Sequence, residues 1–180
     1  MSGLDEALAA SARNGDRPAL RRLLERHHDT AFRFSYRLLG SRADAQDVAQ
    51  EVCIRLVERI ASFRGDSRFS TWLYQLVLNA CRDHRRRQGR VREVQAGYAT
   101  FQADAAADWA DSERKVRWLY LALDRLKPEL KETALLILAE EVTQEDAASI
   151  LGISAGTVAW RMSEVKKRLR AMAEHEDERA

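Results

Sequence analysis

QEDAASILGISAGTVAWRMSEVKKRLR, residues 144–170, is the stretch that decides the fold. With Gln144 as the first position, Ala148 falls at the fifth, where two helices approach closely and a small side chain is needed. Gly152 falls at the ninth, where the turn between the helices requires a positive φ that glycine adopts without strain. Val158 falls at the fifteenth, inside the second helix, where an apolar contact locks the pair. Ile150, Leu151 and Ile153 complete a small core, and Ser154 stands where its hydroxyl caps the second helix. The pattern predicts a helix-turn-helix. Its second helix presents Ala155, Gly156, Thr157, Trp160 and Arg161 near its start, with Lys166, Lys167, Arg168 and Arg170 further along. Such a helix enters the major groove of duplex DNA with its N-terminal residues against base edges. A plain helical hairpin with a solvated basic end is the bland alternative. Three special positions in register and a basic second helix argue against it.

Upstream of this motif the same helical punctuation recurs. Residues 4–13 read as a short helix broken by Asn14-Gly15-Asp16. Asp16 caps the next helix, which has Pro18 in its first turn and runs to about Leu39 before Gly40. Ser41 caps a third helix, to about Ala61, whose apolar positions Ala45, Val48, Val52, Leu56 and Ile60 repeat every three or four residues. After the loop FRGDSRFS a fourth helix starts near Ser70, carries Trp72, Leu73, Leu76, Val77 and Ala80, and ends in RDHRRRQGR. Residues 93–113 hold five acids, no Lys or Arg, and many alanines, and are expected to be a flexible acidic linker. The expectation is all-α, with two small helical domains at 1–92 and 116–172, a linker at 93–115 and a frayed charged tail at 173–180.

Composition narrows the function class. The chain has 180 residues, 46% apolar and 32% charged, with two prolines and eight glycines, which suits a soluble helical protein. The net charge of +2 says little about partners, whereas the clustering of charge says more. No window approaches the roughly 18 apolar residues that span a bilayer. MSGLDEALAA lacks a basic stretch followed by an apolar core, so no secretory signal is expected and the protein should stay in the cytoplasm. Cys53 and Cys81 are then expected to be reduced.

Two blocks together resemble a known family. DAQDVAQEVCIRLVERIASFRGDSRFSTWLYQLVLNACRDHRRR is similar to the second conserved region of sigma factors. LDRLKPELKETALLIL with the helix-turn-helix is similar to their fourth region. Their order, with a linker and no third region between, resembles the extracytoplasmic-function group. The resemblance implies a transcription-initiation factor that binds core RNA polymerase and directs it to a two-part promoter, melting the −10 element. Asp44, Asp47, Gln50 and Glu51 match the family motif on the helix that docks on a coiled coil of the polymerase's largest subunit. With Glu58, the acids also read as one acidic face opposite the apolar stripe, a face that is bland if merely solvated.

In the loop and the helix after it, Phe63, Arg64, Phe69, Trp72 and Tyr74 interleave with Gly65, Asp66, Ser67, Arg68, Ser70 and Thr71. Stacking aromatics beside basic and hydroxyl groups suit single-stranded DNA. The resemblance implies that this loop melts the −10 element and holds an extruded base. Trp72 reads equally as core or as DNA contact. Asn79, Arg82, Arg85, Arg86 and Arg87, followed by Arg90 and Arg92, are expected to engage −10 phosphates or guanine edges. Thr143, Gln144, Ser154, Gly156, Thr157, Trp160, Arg161, Lys166 and Lys167 are expected at the −35 element. The family commonly has Lys, Ser and Arg where this chain has Ala159, Trp160 and Glu164, and the usual Leu-Pro opening of the fourth region is Leu126-Lys127-Pro128 here. The helix-turn-helix is expected to survive these departures, which bear on the −35 sequence it prefers and on its hold on phosphates.

No enzyme constellation is present: the sequence holds no Walker glycine loop, HExxH or CxxC. Cys81 and His84 are spaced as half a metal site, but His27, His28 and His175 supply no second half, so neither metal nor cofactor is expected. The expected partners are core RNA polymerase, promoter DNA and an anti-sigma factor, and the free protein is expected to be a monomer. Two rivals stay open. One is a conventional helix-turn-helix regulator that dimerises on a palindromic site. The other is a sigma mimic that sequesters an anti-sigma factor.

Overall fold

Capping chemistry sets the helix boundaries. A computed structural model describes residues 2–94 and 111–177, with side chains placed over 3–89 and 118–174. The described residues form eight α-helices and one short 3₁₀ turn. The first module holds α1 (Ser2–Arg13), α2 (Arg17–Leu39), α3 (Arg42–Arg59), the 3₁₀ turn Ile60–Ser62 and α4 (Phe69–Val94). The second holds α5 (Asp111–Asp124), α6 (Pro128–Leu138), α7 (Gln144–Leu151) and α8 (Ala155–Asp177). The Asp16 carboxylate accepts from Ala19 N at 3.1 Å to start α2, and Gly40, at φ 72°, ends it. Ser41 caps α3 through Asp44 N, and Thr143 caps α7 through Asp146 N. All-α architecture stands as expected, with some boundaries moved. α3 ends at Arg59 and passes into the 3₁₀ turn. α4 runs on to Val94 and α5 begins at Asp111, so both ends of the expected linker are helical. Residues 95–110, the rest of that segment, lie outside the described residues, as do 178–180 of the expected tail. The rest of that tail, to Asp177, continues α8.

α2 and α3 form an antiparallel pair on which α4 packs, with Leu23, Phe34, Val48, Val52, Leu56, Leu73 and Val77 between them, each at most 2% exposed. α6, α7 and α8 close the second core on Leu130, Ala134, Leu135, Val158 and Val165. The two cores are not separate. α4 lies against α7 and α2 against α6, and the buried apolar residues of both modules join in one cluster. This burial explains an otherwise odd run in α6, where Lys131, Glu132 and Thr133 are all buried. Lys131 Nζ donates to Leu38 O at 2.8 Å, satisfying a carbonyl that the end of α2 leaves without a helical partner. It also pairs with Asp124 at 2.6 Å. A buried ammonium needs such partners, because desolvation without them is costly.

Candidate nucleic-acid interface

The loop between Phe63 and Phe69 is mounted on an aromatic cluster. Phe63 and Phe69 are buried and meet edge to face at 5.7 Å between ring centroids. Trp72 packs on both, at 5.3 and 5.8 Å, and keeps part of its ring at the surface. The tryptophan therefore belongs to the core while still offering an edge to solvent. Between the two phenylalanines Arg64, Gly65, Asp66 and Arg68 are exposed and Ser67 is half-buried. Gly65, at φ 81°, makes the reversal that a side chain would strain. Ser70 is exposed just beyond. These groups stand together as the sequence predicts.

Most other expected −10 residues are engaged within the chain, although Asn79, Arg86 and Arg87 remain exposed. Thr71 is buried, and its hydroxyl donates to Asp146 of α7 at 3.2 Å. Arg82 and Arg85 donate to the Glu132 carboxylate of α6 at 2.7 and 2.9 Å. Arg87 pairs with Glu51 at 2.6 Å, and Arg86 pairs with Asp83. Only Asn79 of this group is exposed without an ion pair. The arginine cluster is thus largely committed inside the chain. The physical reason is the second module: α7 packs on α4, and Glu132 of α6 reaches the same side, which carries Thr71, Gln75, Arg82 and Arg85, spaced four, seven and three apart along one helix face. Gln75 Nε2 donates to Ser149 O at 2.8 Å and the Tyr74 hydroxyl to Glu140 at 2.6 Å. Arg37 pairs with the same Glu140 carboxylate. Burial, with the Glu140 carboxylate beside it, pushes the Tyr74 phenol well above its ordinary value.

The acidic stripe on α3 divides in two. Asp47 and Gln50 are exposed, whereas Asp44 and Glu51 lie at the seam with α4. Asp44 accepts from Gln88 at 2.8 Å and meets His84 at 3.1 Å. Glu51 accepts from Arg55 and Arg87, both at 2.6 Å. Desolvation pushes the Glu51 carboxyl up, but the hydrogen bonds from Arg87 and Arg55 outweigh it and hold it below its ordinary value. The single acidic face expected from spacing is therefore corrected. The exposed face of α3 runs Asp47, Gln50, Ile54, Val57, with Ile54 59% and Val57 49% exposed. The two aliphatics went unread in the sequence. Their signal is that they fall out of register with the buried Val48, Val52, Leu56 stripe and in register with Asp47 and Gln50.

The helix-turn-helix forms in the expected register. Ala148 and Val158 are buried, and Gly152 takes φ 68°. Thr143 and Ser154 serve as caps; Thr157 N donates to Ser154 Oγ at 3.1 Å. Gln144 stays exposed. The outward face of α8 is Gly156, Trp160, Ser163, Lys167 and Arg170, with Lys166 beside it, and Trp160 is 64% exposed. Arg161 is not on that face. It follows Val158 and precedes Val165, both fully buried, and turns back to α6, where its guanidinium meets Thr133 Oγ1 at 3.4 Å and Glu129 O at 3.5 Å. Thr157 is half-buried on the same flank. Glu164 pairs with Arg168 at 2.6 Å.

Elsewhere, burial pushes the Cys81 thiol up to about 11. Among the described residues no three His, Cys, Asp or Glu side chains gather as a metal site. No helix among them is long and apolar enough to cross a membrane.

Comparison with known proteins agrees with this geometry. Residues 23–91 match the family Sigma-70 region 2, and residues 116–169 match Sigma-70, region 4. The ECF RNA polymerase sigma factor SigE of Mycolicibacterium smegmatis is 32% identical over 170 residues, which is 91% of this chain and 65% of that protein. SigM of Mycobacterium tuberculosis, another ECF RNA polymerase sigma factor, is 30% identical over 168 residues, 92% of this chain and 82% of that protein. The sigma factor RpoE of Bartonella quintana, solved with the anti-sigma factor NepR, superposes with a TM-score of 0.72 at 24% identity, over 86% of this chain and 96% of that one, and so shares its fold. Two helical modules in this order, one with a loop on an aromatic cluster and one with a helix-turn-helix, are thus those of a transcription-initiation factor, and the chain belongs to the extracytoplasmic-function family of RNA polymerase sigma factors.

Proposed function

We propose that this protein binds core RNA polymerase through the outward face of α3, opens the −10 element with the loop at 64–68, and reads the −35 element with the outward face of α8. The observation that carries the reading is the pairing of an exposed polar loop on an aromatic cluster with an exposed recognition-helix face in one chain. Stacking surface beside arginines suits an unpaired strand. A helix start bearing Gly156 and Trp160 over a basic second half suits the major groove. On α3, Ile54 and Val57 supply apolar area and Asp47 a charge that suits a basic partner. Run-off transcription with purified core polymerase on a genomic promoter pool tests the whole reading; no transcript above core alone overturns it.

Promoter engagement on this reading is coupled to separation of the modules. Thr71, Arg82 and Arg85 reach DNA only when Asp146 and Glu132 release them. A partner that holds the modules together would keep the factor silent. The RpoE relative was solved with an anti-sigma factor, and a one-to-one complex of that kind is proposed here. The free protein acts as a monomer in the cytoplasm, carries out no catalysis and uses no cofactor. Native co-purification before induction that yields only free protein would remove the anti-sigma factor from this scheme.

A further inference from the structure

The segment before the matched region, which begins at residue 23, contacts both ends of the loop at 64–68. α1 reaches both ends of the exposed loop. Arg13 Nη1 donates to Phe63 O at 3.3 Å, the last backbone carbonyl before the loop. Glu6 Oε1 accepts from Phe69 N at 3.3 Å, the first amide of α4. That amide has no partner within its own helix, and a carboxylate there is also favoured by the helix dipole. α1 is itself anchored. Leu8, Ala9 and Ala12 are buried beneath it. Asp5 accepts from Arg26 of α2 at 2.9 Å and lies 3.3 Å from His27, whose ring packs against Phe69 at 5.1 Å. The chain from α1 to Phe69 is therefore continuous through both hydrogen bonds and packing.

We propose that α1 is a positioning element for promoter opening, and that Glu6 and Arg13 fix the ends of the loop at 64–68 so that it meets the −10 strand in one shape. This rests on the reading that the loop engages that strand. The loop is short and exposed, so its own side chains do little to define its path; its ends define it. Extruding a base costs a few kcal/mol, and only a preshaped receiver offsets that cost. A loop with loose ends must be ordered at the moment of binding, and the ordering subtracts from the same free energy.

The test uses holoenzyme assembled from the full chain. Glu6→Ala with Arg13→Ala removes both tethers; Glu6→Gln keeps an acceptor at Phe69 N. Promoter opening is followed by permanganate reactivity of −10 thymines on duplex DNA, and run-off transcript yield is compared on that duplex and on a template already mismatched at −10. The double variant should open duplex promoter about tenfold less well. It should recover on the mismatched template and keep its polymerase affinity, while Glu6→Gln stays near wild type. Equal loss on both templates, with a lowered melting temperature, would make α1 a stability element only and overturn the proposal, as would unchanged opening. Alanine at Arg64, Ser67 and Arg68 in parallel separates the two levels. If those variants open duplex normally, the loop reading itself fails. If they impair opening and the α1 variants do not, the positioning role alone fails.

Discussion

Arg82 of α4 donates to Glu132 of α6 at 2.7 Å, and the carboxylate it reaches is only 4% exposed. Arg85 donates to the same group at 2.9 Å. A residue of the −35 module thus occupies two arginines that sequence reasoning assigns to the −10 element. Glu132→Gln keeps the shape but removes the charge. The isolated variant should bind a single-stranded −10 oligonucleotide several-fold more tightly than wild type. Its salt slope should steepen by about 0.7 for each arginine that gains a phosphate. Fluorescence anisotropy at two salt concentrations checks this, and equal affinities would mean that the Glu132 contact does not compete with DNA.

The two halves of the acidic stripe should respond differently to charge reversal. Asp47→Lys, on the exposed face with Ile54 and Val57, should weaken core polymerase binding at least about tenfold, or about 1.4 kcal/mol, and leave the melting temperature unchanged. Glu51→Lys places a third cation beside Arg55 and Arg87 and should lower the melting temperature first. Titration against core polymerase alongside thermal melting separates them; a Glu51 variant that melts normally but binds poorly would return Glu51 to the docking face.

The placement of Trp160 and Arg161 predicts opposite phenotypes at the −35 element. Trp160→Ala should alter base preference at one or two positions, because the indole is the largest apolar group on the outward face. Arg161→Ala should instead cost stability, about 0.5–1.5 kcal/mol for lost hydrogen bonds to α6, with base preference retained. A promoter-library selection with both variants decides; relaxed preference in Arg161→Ala would show that the side chain swings outward on DNA.

Acid should loosen the seam between α3 and α4. The hydrogen bond from Arg55, joined by that from Arg86, outweighs desolvation and holds Asp83 below its ordinary value, and Glu51 is lowered by the same network. Groups with depressed folded pKa values add stability that is present at neutral pH and is lost as pH falls through the carboxylate range. In Arg55→Met the share of that contribution that Arg55 supplies is lost, while Arg86 still pairs with Asp83 and Arg87 with Glu51. Stability of the variant, measured by urea unfolding, should therefore lie below wild type at pH 7 and converge on it between about pH 5 and pH 3. A gap that stays constant with pH would mean that Arg55 acts through packing alone.

Much of the fold was legible because its determinants are local. Asp16, Ser41, Thr143 and Ser154 cap helices through bonds that span three residues, Gly40 and Gly152 supply the left-handed turn, and the apolar stripes repeat at helical spacing. The boundaries of the expected linker were less legible. Alanine-rich acidic sequence carries little apolar periodicity, so the ends of α4 and the start of α5 gave no signal to place them.

The residues by themselves determined that this is an all-helical chain with a helix-turn-helix, since capping, turn and spacing rules act within a few positions of one another, and the resemblance of two blocks to two sigma-factor regions implied the family. They also determined which residue types cluster: aromatics with arginines in the loop, and basic residues along α8. Only the tertiary structure decided which way those groups face. Whether Arg82 points to solvent or to Glu132 depends on a helix 50 residues away in sequence. Whether Glu51 is a docking charge or half of a seam depends on Arg87, 36 residues on. Such pairings follow from how packed surfaces meet, and a charged residue at a helix face is compatible with either outcome until its neighbour is known.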